Sequence, residues 1–548
     1  MALCSTLAEI YFHFLLTKLF PYEKYIFLIA ASINLLPVFA GEFFPTMDGA
    51  AHLYNANLLG EFIFGNTDTL DSFFKMNTEP VPNWTGHILL MIFGFLPAWL
   101  AEKILLVCYV LGLPYAFRFM VKSFNPLHVA GSYLIIPFVS SFLFFLGFYN
   151  FSIALIFFFV GIGWWMINKD QLFSSKKILQ LFLLLLLTYF SHIFVFAMLL
   201  AMIGLHWLFW FITDAFNSDE HIVKNFIDKL KSGLAVLLAA IVPLSFFIYY
   251  FASRNSGTST PNFLSREQLI EDLFKIRSNV ALNMEKESAW NEKMIWVLSA
   301  LLIFSCGFFV VRLISKRNPE DMKNKPSFYT TPFFFAALLF FALLYFVLPD
   351  SDMQAGFVSV RLCFFIFLML VAWISAMRMP AWVYAPLIFI LLAVNFKKQV
   401  FYADAIRDLN RVAMSCYELG EKVKPGSVIL PFNYSDNWLT GHFSNYLGAE
   451  NNVVILENYE CGTGYFPLLW NREKMPDTMF GDVSQSTNPC TGWMSEPDHE
   501  EKSIDYVFML GKPKLESDSC HRAMGNILLA HYHKIAENDF ASLYELKK

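Results

Sequence analysis

"GHILLMIFGFLPAWL", residues 86–100, is apolar almost throughout, and whether it crosses a membrane decides the orientation of every later segment. A spanning helix needs about 20 predominantly apolar residues. Counted as a full span, this run would set every loop after it against the distribution of lysine and arginine. It is therefore read as a short helix lying in or dipping into the outer leaflet; one long bent helix over 87–121 is the alternative.

Outward from this stretch, apolar runs near 24–41, 103–121, 131–146, 149–167, 178–190, 194–213, 234–251, 294–313, 331–348, 357–376 and 381–397 are expected to span, about eleven in all. The basic segments "RFMVK" (118–122), "NKDQLFSSKK" (168–177), "HIVKNFIDKLK" (221–231), "RLISKRNPEDMKNK" (312–325) and "MRM" (377–379) then all fall on the cytoplasmic side. The N-terminus is cytoplasmic in this scheme. Residues 42–102, 252–293, 349–356 and the tail from about 398 are outside. The run at 24–41 lacks a small-residue cleavage site and reads as a retained helix, not a removed signal peptide.

Composition agrees with a bilayer protein. Of 548 residues, 56% are hydrophobic and 16% charged, with 62 phenylalanines, far from the make-up of a soluble domain. The net charge of -5 comes with no dense basic stretch, so nucleic acid is not an expected partner. Phenylalanine-rich spans and short cytoplasmic loops point to a bacterial inner membrane. Cys416, Cys461, Cys490 and Cys520 lie in the tail without a CxxC pair. They permit two disulfides in an oxidising compartment, and zinc binding by these four is the weaker reading.

The expected domains are a transmembrane domain over 1–397, with a first outer loop at 42–102, and a small C-terminal α/β domain over 398–548. In the tail, a helix over 401–423 should stop at "KPG". Strands are expected at "SVILP" (427–431), "NVVIL" (452–456) and "DYVFML" (505–510), with helices near 437–447 and 517–531. Residues 474–503 read as a loop.

Within the first outer loop, "FPTMDGAAHLYNANLLGEF" (44–62) sets Asp48, His52 and Asn55 at i, i+4, i+7, one polar stripe on a helix. An ionisable group at the edge of a span points to function; equally, Asp48 can simply cap the helix. "EPVPNWTGH" (79–87) brings Asn83, Trp84 and His87 to the membrane surface, where tryptophan ordinarily anchors. "NWT", and "NYS" at 433, also match glycosylation acceptors.

A helix leading to an outward Asp, a loop with a "P…H" approach to the next span, many hydrophobic helices and a tail domain introduced by "KPGSVIL" together resemble the GT-C superfamily of polytopic membrane glycosyltransferases. The resemblance implies a sugar moved from a polyprenyl-phosphate-linked donor to a glycan, lipid or protein acceptor at the outer face. It implies Asp48 as general base or metal ligand. Many members carry a second acid beside the first; here Gly49 and Ala50 follow, and His52 supplies the extra polarity. Either no metal is required, or Mg or Mn is held by Asp48 and His52.

Such a reaction also wants a cation against the departing phosphate. Arg361, entering a span, is the first choice, with Arg254 and Lys103 behind it; a salt bridge to Asp350 or Asp352 is the plainer role for Arg361. Asn150 and His192 fall at the outer ends of spans and join Asn55, Asn83 and His87 as substrate contacts. Glu102 beside Lys103 reads as a local ion pair. In the tail, Trp438, His442, Asn445, Tyr459 and Glu460 sit in aromatic and amide-rich stretches suited to an acceptor, or else pack the domain onto the membrane helices. The rival functions are a transporter or flippase for a lipid-linked saccharide, and a non-catalytic glycan-assembly protein.

Overall fold

A computed structural model describes residues 22–65, 70–126, 129–215, 222–253, 260–315, 327–351, 356–377, 379–471, 489–491, 493, 504–513, 515 and 517–547. Eight helices among them are long and apolar enough to cross a membrane: Ala98–Phe124, Tyr149–Gln171, Ile193–Ile212, Phe226–Ala252, Met284–Phe308, Thr330–Val347, Val358–Ala376 and Trp382–Gly420. Each matches an expected span.

Of the other three expected spans, 178–190 lies within a 17-residue helix and the remaining two hold shorter elements. Near 24–41 the helix Glu23–Ser32 passes into a 3-10 turn, Ile33–Leu35, ahead of Pro37. Near 131–146 a 3-10 segment, Val129–Phe138, is followed by a short helix, Phe142–Phe145. Near 178–190 the helix Ser175–Ser191 ends where His192 turns extended. The stretch at 86–100 is also broken: a short helix, Thr85–Ile92, stops before the Ala98–Phe124 helix begins, so the single bent helix is not formed.

Two compact units emerge. One contains residues up to Leu36, Cys108–Leu143 and Phe151–Tyr402, and holds most of the apolar helices. Inside it, Arg118 grips Glu23 through both guanidinium Nη atoms, at 2.8 and 2.5 Å. The buried Glu287 carboxylate accepts from the backbone N–H of Ala281, Leu282 and Asn283 and from the Tyr402 hydroxyl. Lys398 Nζ donates to the Asn279 carbonyl and to Asn291 Oδ1. Ionisable groups in an apolar interior persist when their polar atoms are satisfied in this way.

The other unit is made of Pro37–Val107, Phe144–Asn150 and Ala403–Lys548. Residues 42–102 therefore cluster with the tail, and the expected break at 397 lies inside one helix, Ala381–Gly420. Seven strands occur among its described residues: β1 (Phe74–Met76), β2 (Val428–Asn433), β3 (Val454–Ile455), β4 (Leu468–Trp470), β5 (Tyr506–Leu510), β6 (Tyr532–Glu537) and β7 (Ala541–Leu546). Five form a sheet in the order β3-β2-β5-β7-β6, with β2 parallel to β3 and β5, and the β6–β7 hairpin antiparallel at the edge. The three expected strands are its apolar, parallel part, as buried parallel strands should read. The 517–531 helix is Ser519–His531, while 437–447 holds two 3-10 turns. Most of the loop expected at 474–503 lies outside the described residues.

β1 pairs with β4 antiparallel, Phe74 opposite Trp470 with their rings stacked 4.7 Å apart. Tyr54, on the helix Gly49–Phe64, donates its hydroxyl to the Val453 carbonyl at 2.6 Å and accepts from Ile455 N–H. The loop helix is thus fastened directly to β3. Of the four tail cysteines, Cys490 and Cys520 form a disulfide, whereas Cys416 and Cys461 are free and buried. One bridge forms where two were allowed.

Candidate functional site

The helix Gly49–Phe64 starts at Asp48, but the aspartate does not cap it. Thr46 does: its Oγ1 accepts from Gly49 N–H at 3.0 Å, the task a threonine ahead of a helix ordinarily performs. The Asp48 carboxylate is left for other work. It is buried, and Oδ1 has no hydrogen-bond partner. Burial pushes its pKa up to about 6, against the opposing pull of His442 and His52.

His442 Nε2 lies 3.7 Å from Asp48 Oδ1. The orientation of this imidazole comes from Glu457, whose carboxylate accepts from His442 Nδ1 in a short contact and also from Ser444 Oγ and Asn445 Nδ2. Tyr459 stacks on the His442 ring, 4.4 Å between centroids, and its hydroxyl interacts with the Asp48 carboxylate. Carboxylate, imidazole and carboxylate thus follow one another, the arrangement in which an outer acid fixes the tautomer of a histidine. Glu457 is invisible in the sequence, since no local pattern ties it to His442.

A second cluster adjoins the first. His52 and His87 present rings 4.9 Å apart and nearly perpendicular. His52 Nδ1 approaches Glu460 Oε1 to 2.7 Å, and His87 Nε2 approaches Glu460 Oε2 to 2.7 Å. The outer ring nitrogens meet main-chain carbonyls: His52 Nε2 faces Gly147 O at 3.0 Å and His87 Nδ1 faces Asn83 O at 3.0 Å. All three side chains are buried, and their facing atoms lie within 4.8 Å of one another, close enough to share a metal ion. Burial alone would raise the Glu460 carboxyl, but the His87 and His52 imidazoles overcome it and hold its pKa down at about 2. Burial likewise disfavours the His52 cation, and Glu460 and Asp48 outweigh that and raise its pKa. Asp48, expected to share a metal with His52, is not one of this group.

Backbone geometry places both histidines. Asn83 has φ 67°, left-handed, a conformation asparagine tolerates better than most residues. It directs its carbonyl at His87, while its side chain reaches the Tyr465 carbonyl at 3.4 Å. Asn83→Val is expected to lower stability by about 1–3 kcal/mol and Asn83→Gly to leave it nearly unchanged. Thermal melting of the two variants checks this, and equal melting temperatures would remove the argument.

Several of the expected substrate contacts make hydrogen bonds within the protein. Asn55 exchanges two hydrogen bonds with Asn458, at 2.9 and 2.8 Å, and donates to the Ala51 carbonyl. Asn150 Oδ1 accepts from Gly86 N–H at 2.7 Å, capping the helix that carries His87. Asn445 serves Glu457 as described. Trp438, at 43% exposure, is the tail aromatic most open to solvent among those expected.

The phosphate clamps fare unevenly. Lys103 Nζ donates to the carbonyls of Val38 and Gly41, at 2.7 and 2.6 Å, and so fastens this loop. Glu102 does not pair with it: that carboxylate accepts from Phe44 N–H and the Tyr149 hydroxyl. Arg254 lies outside the described residues. Arg361 and His192 belong to the other unit, where the Arg361 guanidinium lies 6.0 Å from the Phe194 ring centre. Asp350 Oδ1 there accepts from the backbone N–H and hydroxyl of Ser359.

A Cβ on Gly49 would lie 2.5 Å from Thr46 Oγ1 and 2.7 Å from the Tyr149 hydroxyl, so a side chain there would have to displace both. Further carboxylates arrive from the tail, in Glu457 and Glu460. Compared with protein-family models and with curated proteins, the chain matches none.

Proposed function

We propose that this chain is a membrane glycosyltransferase that moves a sugar from a polyprenyl-phosphate-linked donor to an acceptor hydroxyl at the outer face of a bacterial inner membrane. The observation that carries the reading is the Asp48 carboxylate: buried, relieved of capping by Thr46, with Oδ1 unbonded beside His442 Nε2. A carboxyl pushed up to about 6 is a stronger proton acceptor than an ordinary aspartate and is still ionised at neutral pH. The acceptor oxygen bonds to the anomeric carbon as its proton passes to Asp48. The bond from that carbon to the phosphate oxygen breaks, and polyprenyl phosphate leaves with the electron pair. His442, held by Glu457, positions the base and balances its charge.

Further support comes from the apolar helices, which suit a lipid-borne donor, and from the Cys490–Cys520 disulfide, which suits a tail outside the cytoplasm.

The test uses the full-length protein in lipid nanodiscs, with mass spectrometry of the co-purifying lipid and of the products. An isoprenoid phosphate sugar in the preparation, consumed as polyprenyl phosphate and glycosylated acceptor appear, is the expected result. Movement of the intact lipid-linked saccharide between leaflets without cleavage would replace the enzyme by a transporter. Loss of partner proteins on gene deletion, with every glycan intact, would make it an assembly factor.

A further inference from the structure

We infer that His52 Nδ1, His87 Nε2 and Glu460 together form a binding site for a divalent transition-metal ion of the zinc class. The inference stands on coordination chemistry alone and does not require that the chain transfer sugar.

Each imidazole has an acceptor at both nitrogens. Gly147 O stands 3.0 Å from His52 Nε2, and Asn83 O stands 3.0 Å from His87 Nδ1. A carbonyl oxygen can only accept, so these outer nitrogens carry the protons. In the neutral tautomers the lone pairs are then on His52 Nδ1 and His87 Nε2, and both are aimed at the Glu460 carboxylate, itself acceptor-only. Lone pairs facing carboxylate oxygens at 2.7 Å repel unless a positive charge lies among them. His52 Nδ1 and Glu460 Oε1 are, moreover, buried atoms that make no hydrogen bond of acceptable geometry.

Two histidines whose far nitrogens are fixed by main-chain carbonyls, with their near nitrogens turned to a common carboxylate, form a zinc ligand set complete with its outer support. Tetrahedral coordination at about 2.0–2.1 Å separates ligand atoms by about 3.3 Å. The two histidine–carboxylate approaches of 2.7 Å lengthen by roughly half an ångström to reach that, within a set whose ligand atoms already lie within 4.8 Å of one another. Two imidazoles and one carboxylate favour zinc over magnesium or calcium, which want oxygen ligands. Three protein ligands leave one position for water or a substrate oxygen, as in catalytic sites and unlike closed structural ones.

The alternative is a purely hydrogen-bonded triad with both imidazoles protonated. The two are separated by metal analysis of the full-length protein purified in detergent, treated with chelator, desalted and titrated with zinc chloride. About one equivalent is expected to bind, and His87→Ala and Glu460→Gln are expected to weaken binding at least about tenfold each. His442→Ala, outside the ligand set, should bind as the parent does. Size-exclusion profiles and melting curves identify any variant that fails to fold. His52→Asn then gives a second reading on the same set, and its binding should fall in the same way. No binding by the folded parent protein, or equal binding by the His87 and Glu460 variants, overturns the site.

Discussion

Asp48→Asn is expected to reduce sugar transfer by about 100- to 10,000-fold, the usual worth of a positioned proton acceptor. The replacement keeps the shape and removes the basicity. Because Thr46 and not Asp48 caps the helix, the melting temperature should change by no more than a few degrees. Turnover assayed with the co-purifying donor, beside a melting curve, separates lost chemistry from lost structure. Full activity in the D48N protein would end the role of Asp48 as the base.

Gly147→Ala should be among the most damaging small substitutions, at about 3 kcal/mol. Its φ of +88° is costly for any residue with a Cβ, by about 1–3 kcal/mol. The added carbon would also stand 2.9 Å from the backbone nitrogens of both Asp48 and Gly49 and 2.7 Å from Thr46 Oγ1. Backbone atoms cannot swing aside as a side chain can, so overpacking adds a similar amount. The same residue supplies the carbonyl that holds His52. Gly204→Ala is the control: nothing lies within 4 Å of its added Cβ, and it sits inside the helix Ile193–Ala215, where alanine is the better helix former. Equal melting temperatures for the two variants would show that close approach at Gly147 is unimportant.

Hydropathy makes the long helices legible, because apolar length is a property of each segment taken alone. At 24–41 and 131–146 the structure holds shorter helices and 3-10 turns, while 178–190 lies whole within the helix Ser175–Ser191. The buried strands β2, β3 and β5 are legible for the same reason, as short apolar runs. The β6–β7 hairpin is not: its mixed polar residues form an edge, and its turn depends on Asn538 Oδ1 accepting from Phe540 and Ala541 N–H.

Asp48, His52, His87, His442 and Glu460 can each be singled out by residue type and position. Their convergence cannot, since one sequence carries no signal linking residues 42–102 to the tail. Glu457 escapes notice for that reason. Thr46 is within reach, because a threonine just ahead of a helix is a recognisable start signal. Its presence argues against Asp48 as the cap.

His87 and Glu460 are 373 positions apart, and β1 finds its partner in β4 across a similar length of chain. At ribosomal speeds of about 5–20 residues per second, the two histidines emerge roughly 20–75 s before their carboxylate. Throughout that interval the nascent polypeptide exposes a strand edge and two unshielded imidazoles. A stalled or prematurely terminated product therefore lacks the centre altogether, and cells translating this message have reason to keep a chaperone close to the emerging loop.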